Sequence, residues 1–286
     1  MFIAAGFGLS KRRSCRLIGL NRSTLQYRAK SKDDNVLRKR IKELAGQRKR
    51  FGCSRLHVML RREGLVVNHK RTERIYREES LSLKIRKRKK RASVVRIELP
   101  RPERINQVWS MDFVSDQLSN GRRFRALTIV DDYSRECPGI EADTSLGGVR
   151  VVRILEQLAC MRGLPEVIRV DNGLEFSGKV LDAWAYNRGV KLHFINPGKP
   201  VENAYIESFN GKFRDECLNE NWFLNINAAK QIIEEWRVDY NQQRPHSSLG
   251  NLTPEEFVKQ QNRFPDRHGF ENILAINDNT NLLLAQ

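Results

Sequence analysis

Residues 167–176 read VIRVDNGLEF. The first four suit a short buried strand, with Asp171 at its end and Asn172-Gly173 signalling a turn. Strand ends are where an open sheet presents its ligands. Working outward, VWSMDFV at 108–114 reads as another buried strand, with Asp112 inside it. A carboxylate there is costly unless it is paired, protonated or bound to a cation. Downstream, NAYIESFNGKFRDE at 203–216 reads as a helix. At helical spacing Asn203, Glu207, Asn210, Gly211 and Arg214 share one face. Ile206, Phe209, Phe213 and Cys217 form an adjoining apolar stripe about 100° around. Such a helix packs on a sheet through its stripe and still aims Glu207 at a shared centre.

Between Asp112 and Asp171 lie 58 residues, and between Asp171 and Glu207 lie 35. Three separated carboxylates can converge on a pair of divalent metal ions, which clamp the attacking and leaving oxygens of a phosphodiester. Asp116, Asp131, Asp132 and Asp143 compete as ligands. The residues equally suit Asp112 in a hydrogen bond, Asp171 in a turn and Glu207 on a solvated face, and by themselves they leave both readings open.

The texture from residue 105 onward predicts the rest of the fold. FRALTIVDDYS (124–134) and RECPGIEAD (135–143) read as a second strand and a third, edge strand. A helix follows over 145–162, with Val151, Leu155 and Leu158 on one stripe. VIRVD is then a strand, SGKVLDAWAYNRG (177–189) a helix and KLHFIN (191–196) a strand. Three strands in succession suit an antiparallel meander, and the later alternation suits parallel crossovers. The expected class is α/β, a mixed sheet flanked by helices.

Charge divides the chain of 286 residues, whose net charge is +18. Residues 11–100 carry 30 Lys+Arg against 8 Asp+Glu, a balance of +22, and the remainder carries 22 against 26, a balance of −4. A basic face attracts nucleic acid by releasing condensed counterions. In this stretch the charge is interleaved with periodic apolar residues. KRRSCRLIGLNRSTLQYRAK (11–30) fits a helix-turn-helix: Cys15 is small, Gly19 permits the turn, Asn21 caps the second helix and Leu25 anchors it. A second helical unit has candidate helices at 35–46, 53–63 and 69–80. Gly64 stops the second of these and Asn68 caps the third. In the third, Thr72, Ile75 and Tyr76 supply contacts, surrounded by Lys70, Arg71, Arg74 and Arg77. A helix this basic suits a major groove, and it equally suits phosphates alone. KIRKRKKRA (84–92) reads as a basic linker closed by Pro100 and Pro102.

The five cysteines are scattered without a CxxC, which points to a reducing cytoplasm. Cys53, His57 and His69 lack a fourth zinc ligand at a sensible spacing. No apolar run is long enough to span a membrane. MFIAAGFGLS puts apolar residues before basic ones, the reverse of a secretory signal.

Taken together, these segments resemble a known family. VWSMDFVSD, VDDYSRE (130–136), RVDNGLEFSG, NPGKPVENAYIESFNGKFRDE and YNQQRPHSSLGNLTPEEF are similar to the OrfB-type transposases of bacterial insertion sequences (insertion-sequence family three). These belong with retroviral integrases in the DDE superfamily, which has a ribonuclease-H-like core. RFGCSRLHVMLRREG resembles the helix-turn-helix region before that core. The likeness covers about residues 10 to 262. It implies that Asp112, Asp171 and Glu207 bind two magnesium or manganese ions. It also implies that Lys199, Asn203 and Arg214 lie near transposon-end DNA. Many relatives act as a fusion with an upstream reading frame carrying a helix-turn-helix and a leucine zipper. No heptad repeat is visible in this sequence, so Met1 fits an internal or truncated start.

The expected organisation is a helix-turn-helix at 1–32, a second DNA-binding unit at 33–83, a linker at 84–104, the ribonuclease-H-like core at 105–264 and a tail at 265–286. The expected protein is cytoplasmic, at the nucleoid, and assembles as a dimer or more on element-end and target DNA. Cleavage would free a 3′-hydroxyl that attacks a second phosphodiester without a covalent protein intermediate. Tyr205 and Ser208 flank Glu207, but neither has the arginine-rich setting of a tyrosine or serine recombinase. Two rivals remain: a DNA-binding repressor without catalysis, and a nuclease that hydrolyses without joining.

Overall fold

The computed structural model describes residues 6, 8–27, 33–84, 101–173, 175–195 and 203–263. Lys199, most of the basic linker and the tail lie outside them.

Two short helices begin the described chain: α1 (Lys11–Leu17) and α2 (Arg22–Gln26). Gly19 turns between them at φ +63, where a side chain would be strained. The Asn21 side chain accepts from the Ser23 amide, capping α2. Three helices follow: α3 (Asn35–Gln47), α4 (Cys53–Arg62) and α5 (His69–Glu78). Gly64, at φ +73, ends α4, and Asn68 caps α5 through the Lys70 amide at 3.0 Å. Leu37, Ile41, Leu44, Leu56, Leu60, Ile75 and Tyr76 form one core between these helices. The third helix stops at Glu78, two residues short of its expected end, and Ser80 turns at φ +55.

Five strands follow: β1 (Val108–Gln117), β2 (Arg123–Asp131), β3 (Gly139–Asp143), β4 (Val167–Val170) and β5 (Lys191–Phe194). They form one sheet in the order β3-β2-β1-β4-β5. The first three pair antiparallel, and β4 and β5 join parallel, as the order of elements predicted.

The second and third strands are shorter than their apolar runs suggested. β2 ends at Asp131, whose carboxylate accepts from the Tyr133 and Ser134 amides at 3.0 and 2.8 Å and folds the chain into a turn. Arg135 continues the turn at φ +62, and Pro138 has no amide for a ladder, so β3 starts only at Gly139.

Five helices flank or follow the sheet: α6 (Gly148–Arg162), α7 (Lys179–Arg188), α8 (Ala204–Glu216), α9 (Ile226–Gln242) and α10 (Pro254–Arg263). Strand alternation divides the residues between two faces. Trp109, Met111, Leu127, Ile129, Ile168 and Val170 pack against α6 and α7. Val114, Phe124, Ala126, Val130 and Ala142 pack on the other side against α8 and α9. The stripe read from the sequence holds: Ile206, Phe209, Phe213 and Cys217 are all buried. Glu207 and Arg214 are left exposed on one shoulder of α8.

Candidate active site

The parallel pairing of β1 with β4 aligns two of the candidate acids. Ser110 lies opposite Arg169, so two residues further along each strand Asp112 comes level with Asp171. Both are on the face that α8 covers. Asp112 accepts from its neighbour's amide at 2.7 Å and from the Asn210 side-chain amide at 2.8 Å. Asn210 is held in turn, because its oxygen accepts from the Thr128 hydroxyl at 2.8 Å. Thr128 is fully buried on β2 and is the cross-strand partner of Asp112. Asn210 follows Glu207 by one helical turn, so the helix that carries the third acid also orients the first.

Asp171 accepts from the Gly173 amide at 3.0 Å, and Asn172 donates to the Ile195 carbonyl at 3.0 Å. A Cβ on Gly173 would stand 2.9 Å from a carboxylate oxygen of Asp171. A side chain there would push the Asp171 carboxylate aside, so glycine leaves that acid in place by close approach rather than by its backbone angle. Glu207 sits in the first turn of α8. Burial, then the charge of Asp171 and then that of Glu207 push the Asp112 carboxyl above the usual carboxylate range. The three acids are therefore electrostatic neighbours. Among the described residues, no three His, Cys, Asp or Glu side chains are drawn closely enough together to hold a metal ion as they stand. In donor type and charge the set fits a hard divalent cation, which prefers carboxylate oxygen.

Residues 102–200 and 188–254 match models of an integrase core domain, and residues 32–89 match an HTH-like domain. The chain is 51% identical over 251 residues to the insertion element IS407 uncharacterized 31.7 kDa protein of Burkholderia multivorans. The match covers 87% of this chain and 91% of that one. It is 26% identical to the transposase for insertion sequence element IS904 of Lactococcus lactis, over 78% of this chain and 94% of that one. The chain belongs to the insertion-sequence transposases of the DDE superfamily. A solved simian T-cell lymphotropic virus intasome, in complex with a PP2A regulatory subunit, shares its fold. The TM-score is 0.52 at 15% identity, over 80% of this chain and 76% of that one. The transposase thus has the ribonuclease-H-like core of the integrases, preceded by a helical HTH-like region.

Behind its acids the transposase carries a buried ion pair that the sequence did not reveal. Asp132, fully buried, accepts from Arg169 at 2.9 Å and from the Ser110 hydroxyl at 3.0 Å. Burial outweighs these partners and pushes its carboxyl up to about 6. Ser110 and Arg169 each precede a candidate acid by two residues on the same face. Of the other competing aspartates, Asp131 accepts from the Asn106 amide at 2.7 Å, Asp143 lies beside Arg150 and Lys230, and Asp116 accepts only from the adjacent Gln117 amide at 2.7 Å among the described residues.

The candidate DNA contacts divide. Arg214 is exposed and donates to the Ser115 carbonyl at 3.0 Å. Asn203 lies at the cap of α8 and is buried rather than on the exposed shoulder, with its side-chain oxygen unpartnered among the described residues. On α5, Lys70 is exposed. Arg71 and Arg74 both hold Asp34, at the start of α3, and Arg77 pairs with Glu73. Those hydrogen bonds, that of Arg74 foremost, keep the Asp34 carboxyl below its usual range. Cys53, His57 and His69 form no metal cluster among the described residues, and His57 instead hydrogen-bonds Thr72 at 2.9 Å. Contrary to the expectation that Tyr205 lacks arginine neighbours, the Arg135 guanidinium stands 3.8 Å over its ring, brought there by the turn after β2; Ser208 is exposed on α8. No described helix is long and apolar enough to cross a membrane.

Proposed function

We propose that this transposase cuts and joins DNA at the ends of its own element through Asp112, Asp171 and Glu207. The observation that carries the reading is the parallel pairing of β1 with β4 up to Ser110 and Arg169, two residues before Asp112 and Asp171, beside a helix that supplies both Glu207 and Asn210. When bound between these carboxylates, two magnesium or manganese ions supply the Lewis acidity that activates an attacking oxygen and offsets charge on the phosphate. The chain's own residues do the rest. Asn210 and Thr128 fix the Asp112 carboxylate, the Gly173 amide fixes that of Asp171, and β1 and β4 keep the two level. Preorganised placement of this kind lowers the barrier because little has to move during reaction.

Water is the first attacking group and the freed 3′-hydroxyl the second, each in line. Tyr205 and Ser208 take no covalent part, consistent with the stacking of Tyr205 under Arg135. The units at 1–32 and 33–83 hold element-end DNA, with Lys70, Arg71, Arg74 and Arg77 on the helix suited to a groove. For Arg71 and Arg74 this means exchanging Asp34 for phosphate oxygens. Exposed Arg214 lies along the DNA near the acids, in an assembly of two or more copies, while Asn203, being buried, supports the start of α8.

The test is a gel assay with labelled end oligonucleotides and a supercoiled target. The parent nicks the ends and joins them to the target when magnesium is present. Asp112→Asn binds as the parent does and does neither. If that variant cuts like the parent, the assignment of the acids is wrong. Hydrolysis without joining would favour a plain nuclease.

A further inference from the structure

On the shoulder of α8 opposite Glu207, four cations lie near one another, and two of them reach one carboxylate. Lys212 and Glu216 are one turn apart on this shoulder. Glu216 is gripped by Arg244 through two bonds of 2.9 and 2.6 Å, and Arg55 of α4 approaches it at 4.0 Å. Arg135 arrives from the strained turn after β2, with its guanidinium over Tyr205. Arg55, Arg135 and Arg244 all act on the Lys212 amine, which burial first and Arg244 next pull down to about 8. Lys212 has no ion-pair partner among the described residues, so the group carries a surplus of positive charge. Two of its polar atoms are orphaned as well. A terminal nitrogen of Arg135 and the Nε2 of His246 are buried without a hydrogen-bond partner, and His246 is only 5% exposed. Unpaired polar atoms and converging like charges both destabilise a fold unless something joins them. Arg55, Arg135 and Lys212 are partly exposed, so the cluster opens to solvent.

We propose that this cluster, between α4 of the helical unit and the outer shoulder of α8, binds a backbone phosphate of the DNA. Two features select this occupant. Guanidinium and ammonium donors converging on one point match tetrahedral phosphate oxygens. The cluster also adjoins the helical unit, inside the stretch whose charge balance is +22. The proposal rests on the transposase reading only for the identity of the polyanion. It gives the DNA a second foothold, on the side of α8 away from the acids, and it gives a role to the RPH of residues 244–246, which the chemistry of the acids does not use.

The experiment compares the parent, Lys212→Gln, Lys212→Arg and Asp112→Asn. Binding of a labelled element-end duplex is followed by anisotropy over a salt series, and melting temperature is followed with and without inorganic phosphate at constant ionic strength. With the site present, the salt slope of Lys212→Gln is shallower than the parent's by about one. Lys212→Arg and Asp112→Asn keep the parent slope. Removing one of the crowded cations also raises the melting temperature of the DNA-free protein, the opposite of what a structural lysine would do. Added phosphate stabilises the parent and not Lys212→Gln. An unchanged slope in Lys212→Gln overturns the proposal, and if the phosphate effect is lost in the same variant, the site belongs to a free anion instead. A lower melting temperature in Lys212→Gln overturns it too. If the parent ignores the duplex altogether, the transposase reading fails separately, and the phosphate arm alone decides the site.

Discussion

The two shoulders of α8 carry like-charge clusters of opposite sign. On one, Glu207 joins Asp112 and Asp171, and the crowding is negative. On the other, Lys212 joins Arg55, Arg135 and Arg244, and the crowding is positive. The apolar stripe between them, with Phe209 and Phe213 buried on the sheet and α9, holds both in place. Asp132 and Arg169, a short way from the acids, show the alternative: opposite charges buried together pair with one another, although Asp132 Oδ1 and Arg169 Nε have no hydrogen-bond partner among the described residues. Surplus charge of one sign marks a place where something is missing from the protein alone, and a matched pair marks architecture.

Four perturbations bear on that contrast. The largest effect is on the negative shoulder. Asp112→Asn lowers strand cleavage by about 10³-fold or more, equivalent to about 4 kcal/mol of barrier, while anisotropy reports unchanged DNA affinity. Next is the matched pair. Asp132→Ala strands the Arg169 guanidinium in the interior and costs about 3–5 kcal/mol of stability in denaturant unfolding. A loss below 1 kcal/mol would mean that the pair is not architectural. Gly173→Ala is smaller and falls on function. Its new methyl crowds the Asp171 carboxylate, so cleavage drops about 10–100-fold while the melting temperature stays near the parent's.

The fourth perturbation concerns pH on the positive shoulder. Burial, and after it Arg244, Lys212, Arg55 and Arg135, hold His246 down to about 2 from its ordinary 6.5. The folded protein keeps this imidazole neutral, and the unfolded chain protonates it below 6.5. Its contribution to stability is therefore present above pH 6.5 and lost as pH falls. The slope is about 1.4 kcal/mol per pH unit. His246→Gln flattens the acid limb of the unfolding midpoint, and the difference between the two curves isolates the imidazole from Asp132.

Much of this was legible in the sequence because it is local or periodic. The stripe of Ile206, Phe209, Phe213 and Cys217 follows from helical spacing. The caps at Asn21 and Asn68 and the stop at Gly64 follow from side-chain chemistry one or two residues away. The antiparallel pairing of the first three strands and the parallel pairing of the last two follow from the succession of elements, whereas the seat of β4 beside β1 does not. What stayed hidden depends on residues distant in sequence. Asp132 looked as good a ligand as Asp112 because its partner Arg169 lies 37 residues on. Arg71 and Arg74 looked free because Asp34 precedes them by a whole helical unit. The run from 131 to 138 looked extended because its apolar texture says nothing of an aspartate that folds back on its own amides. Gly173 read as a turn signal, and its closeness to Asp171 emerges only with the atoms placed.

Phe51, next to α4, is 5% exposed and lies within 5.4 to 5.8 Å of three guanidinium groups: Arg48 and Arg55 from its own unit and Arg244 from the far end of the core. Around it Arg48 holds Asp239, and Arg62 holds Glu256 at 2.6 Å. The joint is keyed, so the helical unit at 33–83 is not an interchangeable cartridge. A chimera that borrows residues 33–83 from a cousin inherits a matching seat only if the donor brings the ring and its arginines along. Exchanging the unit means transplanting both sides of the joint, or redrawing its exposed face and leaving its back untouched.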